Sequence, residues 1–156
     1  MVYQFKYTKL HKVIFTEIEK TLFEKALEAR ANAYAKYSNF GVGCAILLDD
    51  ENVICANNQE NAAFPSGLCA ERAALFWAKA NYPSQKILSV MIVGGPLDDS
   101  KNVITSPCGA CRQSLLQYEI EQETDITIYF GSTNGNLICV PNVKNLLPFC
   151  FDGSEL

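Results

Sequence analysis

Cys69-Ala70-Glu71-Arg72 and Pro107-Cys108-Gly109-Ala110-Cys111-Arg112-Gln113 decide how this chain reads. Together they offer three thiol ligands and one carboxylate that the ligand set does not need. Zinc with three protein ligands keeps one position of its tetrahedron open, and that opening separates a catalytic zinc from a structural one. The only histidine, His11, lies far upstream. The first ligand must therefore be Cys69, and the site is expected to be of the Cys₃ kind with Cys108 and Cys111.

The elements around the two motifs follow from periodicity and punctuation. A helix is predicted over about 69–81, and a buried strand over Ile87–Val93, ended by Gly94-Gly95-Pro96. A further helix begins near Pro107, a residue favoured at the first helical position, and runs to about 121. Upstream, Thr16-Glu17-Ile18-Glu19 fits a capping box, and Leu22, Phe23, Ala26 and Leu27 keep helical spacing, so a helix is predicted over about 16–35. Residues 41–48 and 52–57 flank Asp49-Asp50-Glu51 as a hairpin. Downstream, Ile126–Phe130 and Leu137–Val140 flank Asn134-Gly135, a strong hairpin turn signal, and a short helix is predicted near 142–147. Residues 2–8 alternate and are compatible with a short extra strand. The order αββαβαββ implies an α/β fold: a three-layer α-β-α arrangement around a five-stranded mixed sheet.

Length and charge narrow the function. The chain of 156 residues reads as one domain, 1–156, with residues 1–15 as an extension of unknown role. Apolar residues make up 49% and charged residues 19%, ordinary for a globular protein. No apolar run approaches the ~20 residues that span a bilayer, so no membrane partner is expected. The N-terminus lacks the apolar stretch of a signal peptide, which points to the cytoplasm. The seven cysteines then read as free thiols and metal ligands rather than disulfides. A formal net charge of −4 argues against nucleic acid as a partner, because basic surface drives that binding.

The spacing carries the chemistry. Cys108 and Cys111, three apart at a helix start, put both thiols on one face. Three thiolates outweigh the charge of one zinc dication and work against ionising a bound water. Two helix N-termini, each worth roughly half a positive charge, and Arg72 beside the motif offset that excess. Glu71, in the first turn after Cys69, is placed to move protons as general acid and base. A structural reading competes: a fourth ligand from Cys44, Cys55, Cys139 or Cys150 would close the site. The C-A-E and P-C-x-x-C elements at two helix starts argue against it. Cys44 and Cys139 read as buried small apolar residues, His11 as a surface or core residue, and Phe76-Trp77 as helix packing.

The C-x-E…P-C-x-x-C pattern is the general signature of zinc nucleobase deaminases. Further segments narrow the likeness. Tyr37-Ser38-Asn39-Phe40-Gly41-Val42-Gly43, Asn58-Gln59-Glu60-Asn61-Ala62 and Leu146-Leu147-Pro148 with Phe151 resemble the small, homotetrameric, zinc-dependent cytidine deaminases. The resemblance covers nearly everything from Tyr37 to Phe151. It implies one zinc ion per subunit and a homotetramer with shared active sites. It implies that Asn58 and Glu60 bind the ribose hydroxyls, that Phe40 packs against the substrate, and that Ala70 N–H and Glu71 address the pyrimidine edge. Phe151 would reach a base in a neighbouring subunit's pocket. Gln59 and Phe64 depart from the family's usual aliphatic residue and tyrosine. The implied activity is hydrolytic deamination of cytidine and 2′-deoxycytidine in pyrimidine salvage. Rivals are the same chemistry on a blasticidin-type nucleoside, or a non-catalytic zinc-stabilised interaction module. Glu71 speaks against the module, since a structural site has no need of a carboxylate there.

Overall fold

A computed structural model of the chain describes residues 4–153. Its elements are β1 (Thr8–His11), α1 (Glu17–Ala31), β2 (Phe40–Leu48), β3 (Val53–Asn57), α2 (Ala70–Asn81), β4 (Ile87–Pro96), α3 (Gly109–Glu121), β5 (Thr127–Ser132) and β6 (Asn136–Val140). They form one sheet of six strands in the order β1-β6-β5-β4-β2-β3. Only β4 and β5 run parallel, joined through α3; the other neighbours are antiparallel. The mixed α/β arrangement is the expected one, but the strand count is six rather than five. The extra strand is β1, which covers the outer edge of β6 from Thr8↔Cys139 to His11↔Asn136. The alternation over residues 2–8 points to the right region but the wrong residues. Residues 4–7 form no strand, and residues 2 and 3 lie outside the described part. His11 is exposed, and its ring accepts from Val13 N–H at 3.4 Å.

Each face of the sheet takes its helices from the alternation along β2. Ala45 faces Leu22, Phe23 and Ala26 of α1, together with Met91 and Val93. Cys44, Ile46 and Leu48 face Ala74, Leu75 and Ala78 of α2 and Leu115 and Leu116 of α3. The helix α1 starts on the expected capping box, with Thr16 N–H donating to Glu19 at 2.8 Å and Glu19 N–H to the Thr16 hydroxyl at 3.3 Å. It lies so close to the sheet that a Cβ on Gly43 would fall 1.8 Å from the Ala26 carbonyl oxygen. It also ends at Ala31, short of residue 35. The backbone of Tyr34 is drawn away to the 58–60 loop, donating to the Asn58 carbonyl and accepting from Glu60 N–H. Phe76 and Trp77 do not pack into the core. The buried stripe of α2 is Ala70, Ala74, Leu75 and Ala78, so both rings fall on the outer side, about half exposed. Among the described residues no helix is long and apolar enough to cross a membrane.

Candidate metal centre and substrate cavity

Two helices on the same face of the sheet begin on a cysteine. Cys69 is the N-cap of α2 with φ −69° and ψ 151°; Cys108 is the N-cap of α3 with φ −69° and ψ 167°. An N-cap side chain ordinarily accepts from an N–H of the first turn. Neither cysteine does so, which leaves both sulfurs for another partner. Cys111 occupies the third helical position, the place from which a side chain reaches back to the N-cap. Cys108 Sγ lies 3.4 Å from Cys111 Sγ and 3.8 Å from Cys69 Sγ, and all three sulfurs fall within 4.8 Å of one another. Zinc–sulfur bonds of about 2.3 Å at tetrahedral angles separate two sulfurs by about 3.8 Å. The donor set therefore fits zinc. Among the described residues no fourth cysteine joins the cluster. Cys44 is buried in the core, Cys55 is exposed on β3, and Cys139 and Cys150 are partly exposed.

The charges around the cluster are arranged for a thiolate and a buried acid. The Cys111 thiol, and after it the Arg72 guanidinium, hold Cys69 far below the usual thiol range, at about 5. Cys111 is pushed up, first by sharing its proton with Cys69 and then by burial. Arg72 Nη2 sits 4.0 Å from Cys69 Sγ, and its own ionised form is favoured by that contact. Glu71, at the second helical position of α2, is buried, and burial is the main cause that pushes its carboxyl up; the negative charge of Cys69 adds to it. A carboxyl held above its ordinary range is suited to exchanging protons near neutral pH.

A cavity of about 570 Å³ opens beside Cys69 and Arg72 and is lined also by Tyr37, Ser38, Asn58, Glu60 and Phe64. The sequence-predicted Asn58 and Glu60 thus share a cavity with Cys69 of the thiol cluster. Their polar atoms are also tied to the walls. Asn58 accepts from Val42 N–H at 2.8 Å and donates to the Phe40 carbonyl at 2.9 Å, which pins the start of β2. Glu60 accepts from Tyr37 N–H at 2.7 Å, from Ser38 N–H at 3.3 Å and from the Ser38 hydroxyl at 2.5 Å. The Ser38 hydroxyl, chiefly, and then Tyr37 N–H keep the Glu60 carboxyl below its ordinary value. Ser38 in turn accepts from Phe40 N–H at 3.1 Å, so Glu60 reaches Phe40 through one hydroxyl. The Phe40 ring borders a neighbouring cleft with Ser38, Asn39 and Leu97. Ala70 is fully buried at the first position of α2. Phe151 does not line the cavity of its own chain and is 60% exposed.

Ser38 has no role in the sequence reading beyond its place in a motif, because its carboxylate partner lies 22 residues away. Tyr37 escapes for the same reason; it meets Phe64 edge-on at 6.1 Å on the cavity wall, where Phe64 and Gln59, the two departures from the family pattern, both lie.

The family model for the cytidine and deoxycytidylate deaminase zinc-binding region matches residues 16–124. The chain belongs to this deaminase family. Among relatives, it is 35% identical to a cytidine deaminase of Halalkalibacterium halodurans over 135 residues, 86% of this chain and 95% of the relative. It is 34% identical to a cytidine deaminase of Sporosarcina psychrophila, over 90% of this chain and 95% of that one. Among solved structures, the cytidine deaminase of Burkholderia pseudomallei superposes with a TM-score of 0.74 at 32% identity, over 88% of this chain and all of the other. The deaminase family binds zinc, and the three clustered thiols of this deaminase are the place where one ion fits.

Proposed function

We propose that the chain hydrolyses the exocyclic C–N bond of cytidine and 2′-deoxycytidine, giving uridine and 2′-deoxyuridine with release of ammonia, as a step of pyrimidine salvage. The observation that carries this reading is the cavity shared by Cys69, Asn58 and Glu60. It sets a metal ligand beside an amide and a carboxylate suited to sugar hydroxyls. Cys69, Cys108 and Cys111 would hold zinc, and a zinc ion supplies activation of water in sites of this kind.

The chain's own groups account for the rest. Glu71 takes a proton from the attacking water, delivers it to a ring nitrogen and assists the leaving amine. Its burial excludes bulk water from these transfers. Ala70 N–H, free at the first turn of a helix, donates to the polar edge of the pyrimidine. Asn58 and Glu60 take the ribose, chiefly the 3′-hydroxyl, and Phe40 packs against the substrate. Arg72 keeps Cys69 ionised. Phe151 leaves its own chain and closes a neighbour's pocket within a homotetramer, a reading supported by its exposed ring.

We read residues 1–156 as one catalytic domain, in which Thr8–His11 serves the sheet as β1. Seven free thiols fit a reducing cytoplasm. The acidic charge fits a small nucleoside better than nucleic acid. The test is a steady-state assay across cytidine, 2′-deoxycytidine, cytosine, dCMP and blasticidin S. Both nucleosides should turn over with kcat/KM well above the other three. Preference for dCMP or blasticidin S would reject the assignment of substrate.

A further inference from the structure

The segment after β6 is fastened to α3, the helix that carries two of the three thiols. Glu119 near the end of α3 is buried and accepts from Val143 N–H at 2.7 Å and from Lys144 N–H at 3.1 Å. Near its start, the Arg112 guanidinium spans two carbonyls. Its Nε donates to Pro107 at 2.9 Å and its Nη1 to Leu146 at 2.9 Å. Pro107 is the residue before Cys108, and Leu146 closes the 3₁₀ turn Val143–Leu146. Past it the chain reverses at Phe149, whose φ is +56°. The reversal brings the Phe151 carbonyl to the side-chain amide of Gln113, which donates at 2.8 Å. The backbone of Phe151 is thus held while its ring stays exposed.

We propose that Arg112 and Gln113 are positioning residues: they lock the backbone that presents Phe151 to the helix that carries Cys108 and Cys111. The inference rests on the reading that Phe151 closes a neighbour's pocket. The physical reason for these residue types is their donor geometry. The planar guanidinium sends Nε and Nη1 in fixed directions to two separate carbonyls, a geometry that the single ammonium of a lysine does not reproduce from the same position. The amide of Gln113 supplies a donor without placing a charge beside an exposed aromatic ring. Base closure and metal ligation would then share one rigid support, and a displacement of the α3 start would move both.

The test compares Gln113→Glu, Arg112→Lys and Phe151→Ala as assembled, zinc-loaded enzymes. Zinc content, kcat and KM for cytidine, and amide exchange of the 148–151 segment are measured on each. Gln113→Glu keeps shape but loses the donor. It should retain zinc and kcat, raise KM roughly threefold, the size of one modest hydrogen bond, and speed exchange in the segment. Arg112→Lys should do the same. If Phe151→Ala raises KM while Gln113→Glu and Arg112→Lys alter neither KM nor exchange, the positioning role is overturned. Zinc loss in Arg112→Lys with an unchanged segment overturns it as well. If Phe151→Ala leaves KM unaltered, the shared-pocket reading fails instead. Exchange then decides the fastening: faster exchange sustains it and unchanged exchange removes it.

Discussion

Glu71 and the cysteines are the residues on which single substitutions speak most clearly. Glu71 is buried at a helix start and is not needed to complete the donor set. Glu71→Ala is expected to keep zinc and to lower kcat by about 10²–10⁴-fold or more, the range of general acid–base catalysis. Zinc content and kcat on one preparation check this; loss of zinc, or retention of most activity, defeats the role. The cysteines divide three against four. Cys69→Ala, Cys108→Ala and Cys111→Ala are each expected to lose zinc. Cys44→Ala, Cys55→Ala, Cys139→Ala and Cys150→Ala are expected to keep one equivalent, read by a metal-binding dye after unfolding. The clustering of Cys69, Cys108 and Cys111 is legible in sequence because coordination demands a fixed side chain at a fixed spacing. Ser38 is not legible in that way. A hydroxyl has many possible partners, and the fold alone brings it to Glu60.

Elements were legible where a local signal marks their ends. The capping box of α1 and the Asn134-Gly135 turn are such signals, and the hairpin flanks that turn as expected. Two ends were set by tertiary pairing instead. The helix α1 stops early because Tyr34 bonds the pocket loop, and β1 forms where β6 offers a free edge. The first leaves no local pattern, and the alternation over residues 2–8 marks only the region of the second. Glu119, one of three charged residues on α3, likewise has a value that emerges only in three dimensions. Its carboxylate accepts from three backbone N–H groups, the third being Ile126 at 2.9 Å. Glu119→Ala leaves those donors without it in a buried place, and each buried orphan costs about 1–3 kcal/mol. The expected loss of stability is on the order of 3 kcal/mol, read as a lower urea midpoint at unchanged slope. A midpoint within experimental error of the parent would show that water or a neighbour replaces the carboxylate.

The whole molecule poses the question of assembly. The described chain exposes Phe149 and Phe151 at one end, and a second copy is the expected cover for Phe151. If active sites are shared in a homotetramer, two crippled variants can complement each other. Glu71→Ala mixed with Phe151→Ala, after subunit exchange confirmed by mass, is expected to regain activity, because some mixed pockets hold an intact Glu71 and an intact Phe151. Mixtures no more active than the separate variants, both being clearly impaired, would count against sharing. A fully active monomer would do the same.

The twin helix starts at Cys69 and Cys108 carry one more consequence. Neither has a side-chain bond to close its first turn, so an ion held by Cys69 and Cys108 would be the common stopper for both. Chelation would then act as a selective denaturant. It unplugs two first turns, and Glu71 rides on one of them. Ligand binding at a thousandfold over its Kd is worth about 4 kcal/mol of folding free energy. Removing the ion should therefore fray residues 70–73 and 109–112 well before the sheet opens. On adding a strong chelator, amide exchange should accelerate first in those two stretches while β2 and β4 stay protected. Simultaneous loss in helix starts and sheet would mean that the ion holds the entire fold. In the staged case, scarce zinc leaves a folded but inactive enzyme that recovers as soon as metal returns.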